Sequence, residues 1–169
     1  MAPERTMLAL APDNDILRGL GCATLCAAYA EEQVDHILEL LHRVEPFDDK
    51  TRKAPIEQRL ARASAIVQRL ASDELFELER TLGAGAALFG RRDEIVHGRL
   101  YPGLERSDAL QAAKPKVTQR PAAAQELYAL ANEFAVYRDA LVRPQVMRLP
   151  RAVTEYLGRA APPHFLEAP

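Results

Sequence analysis

The stretch ILRGLGCATLCAAYAEEQVDHILELLHRV, residues 16–44, decides the fold class. Its apolar positions are Ile16, Leu20, Ala23, Ala27, Ala30, Val34, Ile37, Leu41 and Val44. They recur at alternating spacings of four and three, which is one face of a long α-helix. Asp13 or Asn14 can cap its start. Glu45-Pro46 predicts its end, because a residue before proline avoids helical geometry. The Ala-rich seam suits close packing of a second helix.

Working outward, three more stripes follow. Pro46 to Lys53 is polar and reads as a loop, and Pro55 suits a first helical position. A second helix to about Ala71 carries Ile56, Leu60, Ala63, Val67 and Leu70, with Arg59, Arg62 and Arg69 expected on its outer face. A third begins after Ser72, with acids in its first turn, and carries Leu75, Leu78, Leu82, Gly85 and Phe89. Gly83, Gly85 and Gly90 cost helix stability and point to close helix approach or a bend. Gly98 is a natural stop. Residues 101–120 read as a polar, Pro-containing loop. A fourth helix starts near Pro121, carries Leu127, Leu130, Phe134, Tyr137 and Leu141, and ends or kinks at Pro144. A short fifth covers about Arg151 to Arg159, before a loose proline-rich tail.

The expected fold is therefore all-α, an antiparallel four-helix bundle with a short C-terminal helix. Residues 1–12 form an extension, 13–148 the bundle and 149–169 the last helix and tail. The length of 169 residues suits one domain that needs no metal or disulfide staple.

Net charge is -2, which excludes a broadly basic coat for nucleic acid. The charge is segregated, however. Residues 1–49 carry three basic and ten acidic side chains, whereas residues 50–120 carry fourteen and nine. A local basic surface in the middle third is compatible with the mild total, as are alternating solvated helix faces. The start lacks a basic-then-apolar signal region, and no apolar run approaches the ~20 residues of a membrane span. A cytoplasmic location without membrane contact is expected. Cys22 and Cys26 are expected as small reduced core residues, and neither has the additional ligands of a zinc site. His36 and His42 read as surface or rim residues. Glu31-Glu32 reads as a solvated face or a partner for an arginine.

The segment that carries chemistry is Gly90-Arg91-Arg92-Asp93-Glu94-Ile95-Val96-His97-Gly98-Arg99-Leu100-Tyr101. Arg92 falls in the apolar register of the third helix, where a charge is costly unless paired or beside a solvent cleft. His97 follows just before the helix stop. At about 100° per residue the two lie about 140° apart around a regular helix, so they do not share a narrow face.

Arg92, Asp93 and His97, with the apolar pair before His-Gly and the order of helices over residues 14–148, resemble the HEPN superfamily of small four-helix bundles. The signature of that family is an Arg, four to six residues, and a His late in helix three. The resemblance implies a metal-independent endoribonuclease that needs no cofactor. His97 would take the proton of a ribose 2′-hydroxyl, and that oxygen would attack the adjacent phosphate. The products would be a 2′,3′-cyclic phosphate and a 5′-hydroxyl. Arg92 would hold the phosphate with its forked donors, and Asp93 would orient Arg92 or His97. Arg91, Arg99 and Tyr101 would support the site.

The resemblance also implies a homodimer whose two motifs meet in a cleft on the two-fold axis, RNA as substrate, and an antitoxin or regulatory protein as partner. A role as a toxin or as a stress or phage-defence effector goes with it. One departure is that the Arg-x4-His-x-Tyr pattern of modified toxins is not met, since position 99 is Arg and the nearest tyrosine is Tyr101. The alternative is a non-catalytic HEPN-fold dimerisation or binding module, with Arg92 tied to Glu31, Glu32 or Asp35 and His97 interacting with the helix dipole.

Overall fold

A computed structural model describes residues 14–96, 99–101, 109–111, 120–121, 123–145 and 147–160. Six helices dominate these residues: α1 (Asn14–Leu40), α2 (Asp49–Arg52), α3 (Ile56–Leu70), α4 (Phe76–Val96), α5 (Ala124–Gln145) and α6 (Arg148–Ala160). A 3-10 turn, Asp73–Leu75, precedes α4. Three short strands, β1 (Arg99–Tyr101), β2 (Ala109–Gln111) and β3 (Arg120–Pro121), form an antiparallel sheet in the order β1-β2-β3. Leu100 pairs with Leu110, and Leu110 with Arg120.

The helical class stands, with corrections at the joints. The expected loop at 101–120 contributes to three strands, and Pro121 lies in β3, so the fourth stripe starts its helix at Ala124. Strands of two or three residues are too short to display a period of two. The first helix stops at Leu40 rather than Val44, and its last stripe residues sit in a turn closed by Leu41 N–H to Ile37 C=O and Val44 N–H to Leu41 C=O. His42 closes that turn, its Nδ1 accepting from the Phe47 N–H at 2.9 Å.

The expected loop at 46–53 contains α2, because Asp48 caps it. Its Oδ1 accepts from the Thr51 N–H at 2.8 Å and from the Thr51 hydroxyl at 2.7 Å. These bonds, the hydroxyl's foremost, hold the Asp48 carboxyl below its ordinary pKa. Pro55 stands at the N-cap of α3 instead of its first turn, and Pro144 is tolerated one residue before the end of α5. The last helix is longer than expected because Leu149, Ala152 and Val153 bury one face. The extension at 1–12 and the tail beyond 160 lie outside the described residues. Among the described residues, no helix is long and apolar enough to cross a membrane.

The described residues fall into two compact units. One takes those of Met1–Tyr29 and Ala87–Val136. Its core holds Ile16, Ala23, Ala27, Phe89, Leu127, Leu130 and Phe134. Phe89 and Phe134 meet edge to face, with ring centroids 5.1 Å apart. Gly19 lets α1 approach α5 closely, since a Cβ there would stand 2.9 Å from the Leu127 Cβ. Cys22 and Cys26 are half-buried free thiols, not the core residues expected of them.

The other unit takes Ala30–Ala86 and Tyr137–Pro169. The stripes of α1, α3 and α4 supply Val34, Ile37, Leu60, Ile66, Leu70, Leu78 and Leu82 to its core. α6 packs against α3 and the 3-10 turn. Burial of the Tyr137 ring raises the pKa of its phenol. Gly85 sits where a Cβ would collide with the Tyr137 hydroxyl and stand 3.0 Å from Leu60 Cδ1, whereas Gly83 faces open space.

The two glycines form a matched test. Gly83→Ala should stabilise by up to about 1 kcal/mol through helix propensity. Gly85→Ala should instead destabilise by about 1–3 kcal/mol, because Tyr137 is buried and must shift. Urea unfolding of both variants measures the difference, and equal stabilisation by both would contradict the close approach.

Candidate functional site

Arg92 lies in the last turns of α4, at the place the stripe assigns it. Its side chain is 20% exposed and that of Asp93 35%. The Arg92 Nε stands 3.0 Å from the Asp93 Oδ1. The guanidinium carbon lies 5.7 Å from the centroid of the Phe89 ring, within range of a cation–π contact. Phe89 is fully buried and braced by Phe134, so Arg92 rests on a fixed platform one helical turn below. The arrangement orients the guanidinium through its Nε edge and the ring beneath it. Asp93 therefore touches Arg92.

Arg91 does something different. It grips Glu133 of α5 with two hydrogen bonds, at 2.5 and 3.0 Å. The pair raises the pKa of Arg91 and lowers that of Glu133, in both cases chiefly through these hydrogen bonds. Arg91 thus ties two helices together. His97 lies outside the described residues. Arg99 and Tyr101 contribute backbone to β1, and their side chains lie outside the described residues. The structure places Arg91, Arg92 and Asp93 at the end of one helix, with the strand bearing Arg99 and Tyr101 following in sequence.

A second arginine, Arg59, is a buried ion-pair partner. Expected on an outer face, it is only 5% exposed. Its two terminal nitrogens hold Glu31 and Asp35 of α1, the latter at 2.5 Å, and its Nε donates to the Ala54 C=O at 3.0 Å. Two of the acids named in the sequence, Glu31 and Asp35, thus hold Arg59. A signal was present: Arg59 is three residues after Ile56 and four before Ala63, within the buried register. Arg62 is also drawn inward, to the Thr51 hydroxyl at 2.9 Å, the Pro46 C=O at 2.8 Å and Glu45 at 3.1 Å. Only Arg69 of that trio keeps an exposed position, paired with Glu45. His36 and His42 are exposed, as expected.

Among the described residues, no group of three His, Cys, Asp or Glu side chains converges to hold a metal ion. No protein-family model matches the chain, and comparison with curated proteins and with solved structures finds no match.

The Arg91–Glu133 bond predicts an acid-dependent contribution to stability. A carboxylate whose folded pKa is depressed stabilises the fold above its unfolded pKa, near 4.3, and loses that effect as pH falls through the folded value. Arg91→Ala should cost about 0.5 kcal/mol at neutral pH, since the pair is half exposed. The cost should shrink between about pH 5 and about pH 3. Unfolding of both proteins across that range is the check, and a cost undiminished by acid would contradict it.

Proposed function

We propose that this chain is an endoribonuclease of HEPN type, built on that family's antiparallel four-helix bundle and acting as a cytoplasmic homodimer. The observation that carries the reading is the sequence Arg92-Asp93-x3-His97, whose Arg92 and Asp93 lie in the last turns of α4, with the Arg92 side chain one-fifth exposed and its guanidinium over Phe89. A guanidinium fixed in this way loses little freedom on binding phosphate, which favours it as an electrostatic stabiliser.

In the proposed reaction His97 accepts the proton of the ribose 2′-hydroxyl as the oxygen attacks phosphorus. The 5′-oxygen of the following nucleotide leaves and is protonated, and a 2′,3′-cyclic phosphate remains. Arg92 stabilises the charge that develops on the non-bridging oxygens. Asp93 acts through Arg92 and is a positioning residue. The angular separation of Arg92 and His97 is resolved by two protomers pairing their motifs across a two-fold axis. RNA is the substrate, and an antitoxin-like regulator is the partner that would keep such an activity in check.

The test is incubation of the purified protein with end-labelled RNA in excess EDTA. The expected result is cleavage leaving 2′,3′-cyclic phosphate ends, slowed about 100-fold or more by His97→Ala and by Arg92→Ala. Intact RNA with folded, dimeric wild type would overturn the reading in favour of a non-catalytic binding module. Equal cleavage by His97→Ala would overturn the assignment of the base.

A further inference from the structure

One cavity in the second unit gathers more positive than negative charge among the described residues. Its volume is about 280 Å³, and it is lined by Glu77, Arg80 and Thr81 of α4, Arg143 and Pro144 of α5, and Arg148, the first residue of α6. Glu77 is the carboxylate of this lining, and Arg80 already holds it at 2.7 Å. Among the described residues, Arg143 and Arg148 enter no ion pair. α6 has no acid in its first turn, so the positive end of its dipole adds to the field around Arg148. Arg151, one turn further, is by contrast satisfied by Glu155 at 3.0 Å and Glu74 at 3.4 Å.

Three guanidiniums against one carboxylate leave two positive charges in a concave site. Like charges gathered there repel one another and raise the local potential for an anion. Forked N–H donors match tetrahedral oxyanions, and a phosphoryl dianion neutralises two charges. We propose that this cavity binds a phosphoryl dianion, with Arg143 and Arg148 as its principal ligands and Arg80, steadied by Glu77, at its edge. The dianion is either a free phosphate or the terminal phosphate of a polynucleotide. The site is built from residues separate from Arg92 and Asp93, so it stands whether or not the chain cleaves RNA.

The experiment uses the full chain and two probes. Inorganic phosphate is compared with chloride at equal ionic strength by thermal unfolding. A 5′-phosphorylated 2′-O-methyl oligonucleotide, which lacks the nucleophile for cleavage, is compared with its 5′-hydroxyl counterpart by fluorescence anisotropy. Arg143→Gln/Arg148→Gln is measured beside wild type in both assays; the two side chains are exposed, and circular dichroism verifies the fold. At phosphate concentrations about ten times Kd, Tm should rise by about 3 °C in wild type and not in the double variant. Such a rise identifies a free phosphate. Tight binding of the phosphorylated oligonucleotide alone, weakened about tenfold or more in the variant, identifies a terminal phosphate. The proposal would be overturned if phosphate gave no Tm rise and the 5′-phosphorylated oligonucleotide bound no tighter than its 5′-hydroxyl counterpart, or if the double variant responded as wild type does.

Discussion

A buried guanidinium constrains the α1–α3 packing. Arg59 can occupy the apolar register of α3 only because Glu31 and Asp35 lie opposite it on α1 and the Ala54 carbonyl takes its Nε–H. A charge taken from water without those partners would cost several kcal/mol. The three groups therefore restrict how α1 and α3 can slide or rotate against each other, which apolar side chains alone do loosely. The segment joining the helices is pinned by the same logic. Asp48 caps α2, Thr51 accepts from Arg62, and Arg62 reaches back to the Pro46 carbonyl and Glu45. Two arginines that look like a solvated face in the sequence, Arg59 and Arg62, instead tie α3 to the segments before it.

Arg59 and Arg92 show what the sequence can and cannot convey. Both fall in apolar registers, and both sit near acids along the chain or on a neighbouring stripe. Register alone says that each must be paired or border solvent. It does not say which, because that depends on where α1 places its carboxylates. In the structure Arg59 is the buried member and Arg92 keeps a fifth of its side-chain surface, over Phe89 and beside Asp93. Arg91 is adjacent in sequence yet points to Glu133 and does the work of a helix clamp.

The helices themselves were legible, because long stripes at spacings of three and four average over many side chains. Their joints were not. The end of α1, the single turn of α2 and the start of α5 depend on one or two hydrogen bonds each, such as those of His42 and Asp48. The strands β1 to β3 carry too few residues to show a pattern. Gly85 was legible as a costly helix residue, but only the position of Tyr137 distinguishes it from Gly83. The cavity of Arg80, Arg143 and Arg148 joins three helices and leaves no mark on any single stripe.

Two arginines of similar sequence setting thus sit differently: Arg59 is buried and holds α1 to α3, whereas Arg92 stays partly exposed in the last turns of α4. Urea unfolding of Arg59→Met and Arg92→Met, measured side by side at neutral pH, tests that division most directly. The predicted result is a loss of about 3 kcal/mol for Arg59→Met, whose removal strands two carboxylates, and a change within about 1 kcal/mol for Arg92→Met. Equal losses, or a larger loss at Arg92, would contradict the account.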